Sequence, residues 1–288
     1  RVLNFYNPGV SSFNNSYTKI NTNLFNKIFL LFSKKKETYQ KIKQKFLNIL
    51  AMMLKINSKY YFVAGEKCFL EFKNKNHNNK YSFIKGSSWD YSKKFIFKKK
   101  IKYQKKYCVY LDAPGPRFSS DSSLYGEKHQ ETVDFTYPSL RKFFNYFEKI
   151  HNLEVIIAPH PKTYIKNKDP IFGKRKVISG KTQELIRDSS FVLTRNSTAI
   201  VFAIFYNKPI LLFYTNQTYN TEAYWNSKNI SKNTSCKLVN INNFSKKILQ
   251  AAKKINKQKY KKYIYNFCSF KDVKKANYEI IQKFYNSN

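Results

Sequence analysis

The spacing of apolar positions changes character along the chain. Over 38–55, "TYQKIKQKFLNILAMMLK", Ile42, Phe46, Ile49, Leu50 and Met53 fall on one side of a predicted helix. "KYYFVAG" (59–65) reads as a strand stopped by Gly65, and "KYSFIKGSSWDY" (80–91) as a second strand running into a turn. The stretch 93–106 is dense in lysine and reads as a connector. No internal repeat is visible.

From Tyr107 the pattern sharpens. "YCVYLDAP" (107–114) is a strand closed by Pro114, followed by a loop rich in Gly, Pro and Ser that runs to about Thr136. Pro138 is expected near the first turn of a helix whose Leu140, Phe143, Phe144 and Phe147 keep an i, i+3, i+4, i+7 period. "EVIIAP" (154–159) is an almost unbroken apolar run, as in a strand covered on both faces. "RKVISG" (175–180) is a shorter strand, and Thr182 is expected to cap the helix "QELIRDS". "FVLT" (191–194) is a strand, Ser197 caps a helix over "TAIVFAIFY", and "PILLFYT" (209–215) is expected to be the last strand. Repeated alternation of strand and helix predicts an α/β fold: a parallel sheet with helices on both faces, binding ligands beyond the carboxyl ends of its strands.

Composition adds bounds. With 288 residues, 42% hydrophobic, 23 Tyr and 26 Phe, the chain has ample material for a packed core and is not of disordered type. Its 54 Lys+Arg against 17 Asp+Glu give a net charge of +37. The joint richness in Lys, Asn, Ile, Phe and Tyr reads as A/T-rich coding bias, yet the same charge suits an anionic membrane surface or phosphorylated substrates. Cys68, Cys108, Cys236 and Cys268 are far apart, no C-x-x-C occurs and no histidine stands at metal-ligand spacing, which points to reduced structural thiols and no metal site. The longest apolar run, "AIVFAIFY" (199–206), is too short to span a bilayer. No signal peptide is visible, and a start at Arg1 rather than Met suggests N-terminal truncation.

Candidate chemistry collects at the strand ends. His160, held before Pro161 at the exit of "EVIIAP", could give a proton or hydrogen bond to a phosphate oxygen; a ring satisfied by a backbone carbonyl fits the same residues. Ser197 and Thr198 offer two hydroxyls and free N–H groups at a helix start, where a plain N-cap would look alike. Arg195 and Lys162 could add charge toward a phosphate, and Lys181 with Thr182 could border a nucleotide or simply cap their helix. Asp112 could act as general base toward an acceptor hydroxyl, or cap its loop. The long loop after it also carries Asp121, Glu127 and His129.

Taken in order, "YLDAP", "APHPK", "GKTQEL", "RNSTAI" and "NKPILLF" resemble the C-terminal half of a GT-B glycosyltransferase. More narrowly they resemble the bacterial sialyltransferase and Kdo-transferase kind that builds capsules and lipopolysaccharide. The resemblance covers about 107–216. It implies two Rossmann-like domains facing a cleft, the N-terminal one short or incomplete: 1–104 on the acceptor side, 105–265 binding the nucleotide sugar, and 266–288 as a C-terminal helix that could pack back on the first domain. It implies Asp112 as general base and His160 at the leaving phosphate. Pro161, Lys162, Lys181, Thr182, Arg195, Ser197 and Thr198 make up the nucleotide and phosphate side. It further implies a CMP-activated acidic sugar as co-substrate, no cofactor, inversion, and a glycan or glycolipid acceptor. No two glutamates stand seven apart between Ile200 and Lys208, which points away from retaining UDP- or ADP-sugar enzymes. The expected location is cytoplasmic, with peripheral contact to the inner membrane. Three other readings remain: a CDP-polyol phosphotransferase of the teichoic-acid type, a basic nucleic-acid-binding protein whose binding would be steeply salt-dependent, and a degenerate, inactive relative of the transferases.

Overall fold

The computed structural model describes residues 3–6, 60–75, 82–96, 106–113, 115–116, 131–161 and 170–287. The helix expected over 38–55 and most of the 93–106 connector lie outside them. Two parallel sheets form. The first joins β1 (Leu3–Tyr6), β2 (Tyr60–Ala64) and β3 (Ser82–Gly86) in that order. Helix α1 (Glu66–Lys75) follows β2, and the short α2 (Trp89–Ser92) follows β3.

The second sheet contains β4 (Tyr107–Leu111), β5 (Glu154–Ala158), β6 (Phe191–Thr194), β7 (Ile210–Tyr214) and β8 (Lys237–Asn240), ordered β5-β4-β6-β7-β8 and parallel throughout. The strand expected at 175–180 is reduced to one parallel bridge, Val177 to Ile157, made by Ile157 N–H to the Lys176 carbonyl and Ile178 N–H to the Ile157 carbonyl. With that remnant counted, the order in chain numbering is 3-2-1-4-5-6. This is the doubly wound arrangement whose switch point lies between its first and fourth strands, here β4 and β6.

The pleat explains how both faces are covered. Side chains alternate along β4: Tyr107, Val109 and Leu111 enter one core, Cys108 and Tyr110 the other. The second core is built by α3 (Val133–His151), which buries Leu140, Phe143, Phe144 and Phe147 as the period predicts, together with Leu249 of α7 (Lys246–Ala251). The first core takes Leu185 and Ile186 from α4 (Thr182–Asp188), Phe202, Ala203 and Ile204 from α5 (Ile200–Phe205), and Tyr260, Tyr263 and Phe267 from α8 (Lys257–Phe267). Fully burying each large apolar side chain contributes about 1.5–3 kcal/mol, so these two layers dominate the favourable side of folding.

Several expected boundaries shift. Helix α3 begins at Val133, so Pro138 lies inside it; both Pro138 and Asp134, whose carbonyl loses its partner there, are exposed and face water. Its end is set by Asn152, left-handed at φ 51°, which turns the chain into β5. Thr182 is the first residue of α4 rather than its cap, which is Lys181 without a side-chain hydrogen bond. The strand at 210–214 is not the last, because β8 follows helix α6 (Glu222–Thr234). The buried stripe of α6 is Tyr224, Ser227, Ile230 and Thr234, and its two hydroxyl residues hide the helical period from a reading by hydrophobicity. The edge beside β5 is closed by α3. Glu148 Oε1 accepts the Val155 N–H at 2.9 Å, and Arg175 grips both Glu148 oxygens, Nε at 3.1 Å and Nη2 at 2.6 Å.

The end of the chain returns to the first sheet. Ser87 bridges to Ser269, and Asn277, which opens α9 (Asn277–Asn286), accepts from Ser87 N–H at 3.0 Å and donates to the Ser87 carbonyl at 2.7 Å. Ser92 Oγ accepts the Asn277 N–H at 2.8 Å. Gly65 meets α8 so closely that an added Cβ would stand 2.6 Å from the Asn266 carbonyl oxygen and 2.8 Å from the Phe267 nitrogen, and its φ is +88°. Gly65→Ala therefore faces both a left-handed backbone and a backbone clash. A loss of about 2 kcal/mol or more is expected in urea unfolding followed by tertiary fluorescence. An unchanged midpoint would show that β2 and α8 do not approach so closely.

Candidate functional site

Because every strand of the second sheet is parallel, all its carboxyl ends lie on one rim. In register, Leu111 stands opposite both Ala158 and Thr194, so Asp112, Pro159 and Arg195 come next at one level on three neighbouring strands. The Asp112 N–H to Ala158 carbonyl bond, 3.0 Å, extends the ladder one step onto this rim. Half-buried His160 follows Pro159, and exposed Pro161 follows it. Half-buried Ser197 and exposed Thr198 follow Arg195. Lys181 and Thr182 leave the Val177 remnant beyond β5 and begin α4. Reading along the sheet, the segments bearing Lys181 and Thr182, His160, Asp112, and Arg195 with Ser197 and Thr198 thus leave four successive strand positions at the same rim. Lys162, Asp121, Glu127 and His129 lie outside the described residues.

Ser197 Oγ accepts the Ala199 N–H at 3.3 Å, and the helix proper begins only at Ile200. The helix expected over 198–206 is therefore six residues long, and its dipole is correspondingly small.

The electrostatic centre of the rim is between β4 and β6. Asp112 is 4% exposed and accepts a hydrogen bond from Tyr110 Oη at 3.0 Å. Tyr110 stands two residues earlier on the same face of β4. Burial pushes the Asp112 carboxyl up to about 6, against the opposing pull of Arg195, the Tyr110 hydroxyl and the Ala113 backbone, with Glu131 adding to the rise. Arg195 is buried, and its Nη1 is paired with Glu131 at the entry to α3. The neighbouring carboxylates keep its guanidinium charged against the cost of burial. The Arg195 carbonyl is held by Ser227 Oγ of α6. Buried atoms without a partner include Arg195 Nε and Thr194 Oγ1. Thr132, next to Glu131, is clasped by Gln217 after β7: Thr132 N–H to Oε1 at 3.0 Å and Gln217 Nε2 to Thr132 Oγ1 at 3.1 Å.

Glu131, Tyr110 and Ser227 were not apparent as site residues from the sequence. Glu131 is 64 residues from its partner and Ser227 is 32 from its own, so no local spacing marks either pair. All four cysteines are buried thiols, and burial pushes Cys68 up to about 12, far from a reactive thiolate. Among the described residues, no group of three or more His, Cys, Asp and Glu is placed to hold a metal ion. No described helix is long and apolar enough to cross a membrane. A cavity of about 490 Å³ sits away from the rim, at the start of β5 and the middle of α3. Its wall includes the Arg175–Glu148 pair that closes the sheet edge, together with Arg141, Glu154, Lys174 and Lys176.

No family model matches the chain, and no curated protein matches it. Solved structures do. A UDP-N-acetylglucosamine 2-epimerase from Listeria monocytogenes is similar at 13% identity and a TM-score of 0.46, over 80% of this chain and 60% of that one. The Methanocaldococcus jannaschii UDP-GlcNAc 2-epimerase, solved with UDP-GlcNAc and UDP, is similar at 14% identity and a TM-score of 0.42, over 80% of this chain and 61% of that one. The glycotransferase of kitacinnamycin is similar at 10% identity and a TM-score of 0.33, over 67% of this chain and 45% of that one. The chain thus spans about three-fifths of the length of the two epimerases.

The raised Asp112 has a definite consequence for stability. The carboxyl keeps its proton in the folded chain up to about pH 6 but releases it near 4 when unfolded. Its contribution is full below about pH 4 and is lost as the pH rises through 6. Asp112→Asn, which keeps an acceptor for Tyr110, removes that loss. Its unfolding free energy should gain on the native chain between pH 4 and 7, by roughly 2–3 kcal/mol at most. A difference that stays flat over this range, or grows toward low pH, would mean the carboxyl is ionised when folded.

Proposed function

We propose that this chain is a metal-independent glycosyltransferase of the GT-B kind, taking a sugar from a nucleotide donor, with a CMP-linked acidic sugar as first choice. The observation that carries the reading is the gathering of the aspartate, His-Pro, Lys-Thr and Ser-Thr segments on four successive strand ends beside the β4–β6 switch point, where doubly wound sheets bind nucleotides. Asp112 takes the proton of an acceptor hydroxyl. The freed oxygen attacks the anomeric carbon from the face opposite the nucleotide, which gives inversion. The bond to the nucleotide phosphate breaks and its electron pair leaves on the phosphate oxygen, received by His160 and by the Ser197 and Thr198 hydroxyls. Pro161 stiffens the histidine loop, Lys162 adds charge toward the phosphate, and Lys181 and Thr182 border the nucleotide. A carboxyl near 6 is close to the working range of a general base at neutral pH.

Under this reading the acceptor is a growing surface glycan or glycolipid, of capsule or lipopolysaccharide type. The net charge of +37 draws the enzyme to anionic lipid at the inner membrane face.

The deciding experiment is a thermal-shift panel of CMP, CDP, UDP, GDP and ADP, followed by donor turnover. CMP should stabilise the chain most, by the mass-action relation between binding and stability. His160→Ala and Asp112→Ala should each lower turnover by roughly a hundredfold or more. Turnover of a CDP-polyol in place of a nucleotide sugar would make the enzyme a polyol phosphotransferase. Silence toward every nucleotide, with tight salt-sensitive binding of RNA or DNA, would end the enzymatic reading.

A further inference from the structure

Arg195 belongs by sequence to the phosphate-binding set, but its surroundings give it different work. We propose that Arg195 is a positioning residue: its guanidinium pairs with the entry to α3, packs beside the exit from β4, and so fixes the segment that carries Asp112 at the switch point. The kinetic part of this rests on Asp112 being the base; the structural part does not.

Two contacts and one close approach carry the inference. Glu131, the last residue but one before α3, pairs with Arg195 Nη1. Gly115, three residues after Asp112, lies so near that an added Cβ would be 3.0 Å from Arg195 Nη2, and its φ is +47°. The two described ends of the β4–α3 connection therefore lie beside one guanidinium, Glu131 paired with it and Gly115 close to it. The second contact fixes the arginine itself, because Ser227 Oγ of α6 donates to its carbonyl. A phosphate from solvent would have to displace Glu131 and reach a side chain only 7% exposed.

The charge balance follows. One guanidinium serves the buried Asp112 carboxyl and the half-buried Glu131. Glu131 takes its Nη1, so Asp112 shares what attraction remains. The groups facing Asp112 are Tyr110 from its own strand, Arg195 from the end of β6 and Glu131 from the entry to α3; Tyr137 of α3 acts on Tyr110 and Arg195. Neutralising Glu131 leaves the full guanidinium charge to Asp112 and favours its ionised form. Removing the guanidinium does the reverse. A scaffold role alone would not shift the Asp112 titration in opposite directions on loss of the two partners.

The test follows the Asp112 carboxyl by carbon-13 NMR titration in the full chain, with Glu131→Gln and Arg195→Met as variants. Glu131→Gln should move its midpoint down and Arg195→Met should move it up, each by half a pH unit or more. CMP affinity, measured by calorimetry, should change less than twofold in Arg195→Lys, while kcat falls at least tenfold at unchanged KM and the acidic limb of the pH profile moves. If Arg195→Met does not fold, Glu131→Gln and Arg195→Lys still decide the matter. An Asp112 midpoint that ignores Glu131→Gln overturns the proposal. So does a tenfold loss of CMP affinity in Arg195→Lys with kcat unchanged, which would return Arg195 to the phosphate. Should the native chain bind no nucleotide, the transferase reading fails, yet the NMR titration still judges Arg195.

Discussion

Strand β4 is covered on both faces and paired on both edges, and most of the second sheet is arranged around that constraint. All five of its residues are buried, split by the pleat between the α3 core and the α4–α5–α8 core. A strand so enclosed keeps its polar groups largely from solvent, and its burial continues to Asp112 at the rim, 4% exposed. The same packing that stabilises the sheet therefore desolvates a carboxyl at its rim. Asp112 tolerates this through the Tyr110 hydroxyl and the nearby Arg195 charge, and by holding a proton more tightly than an exposed aspartate. Folding and candidate chemistry meet at this one position.

The two sheets are joined by the end of the chain rather than by a shared strand. Gly65 lets β2 reach the carboxyl end of α8, and the Ser87–Ser269–Asn277 contacts tie β3 to the start of α9. These polar groups are buried and mutually satisfied: Asn277 uses both its amide oxygen and its amide nitrogen on the backbone of Ser87. Apolar contact adds to the joint, since Val63, Cys68 and Tyr91 belong to the same core as α5 and α8. Lys93 lies over the Phe202 ring, 5.7 Å from its centre, which links the segment after α2 to α5 directly.

What the sequence determined by itself is what short-range physics enforces. Continuous apolar runs such as "EVIIA" and "YCVYL" are strands buried on two faces, and the Leu140–Phe147 spacing permits one helix face; each follows from residues within a few positions of one another. The α/β class and the placing of Asp112 and His160 at strand exits were legible for that reason. Only the tertiary structure decided the rest. It reduced the 175–180 strand to a bridge because Glu148 and Arg175 close the edge at the start of β5. It buried Ser227 on the inner stripe of α6 because that hydroxyl finds the Arg195 carbonyl 32 residues away. It paired Arg195 with Glu131 across 64 residues. Pairings of that kind depend on which distant segments the sheet order brings together, and hydrophobic period carries no information about them.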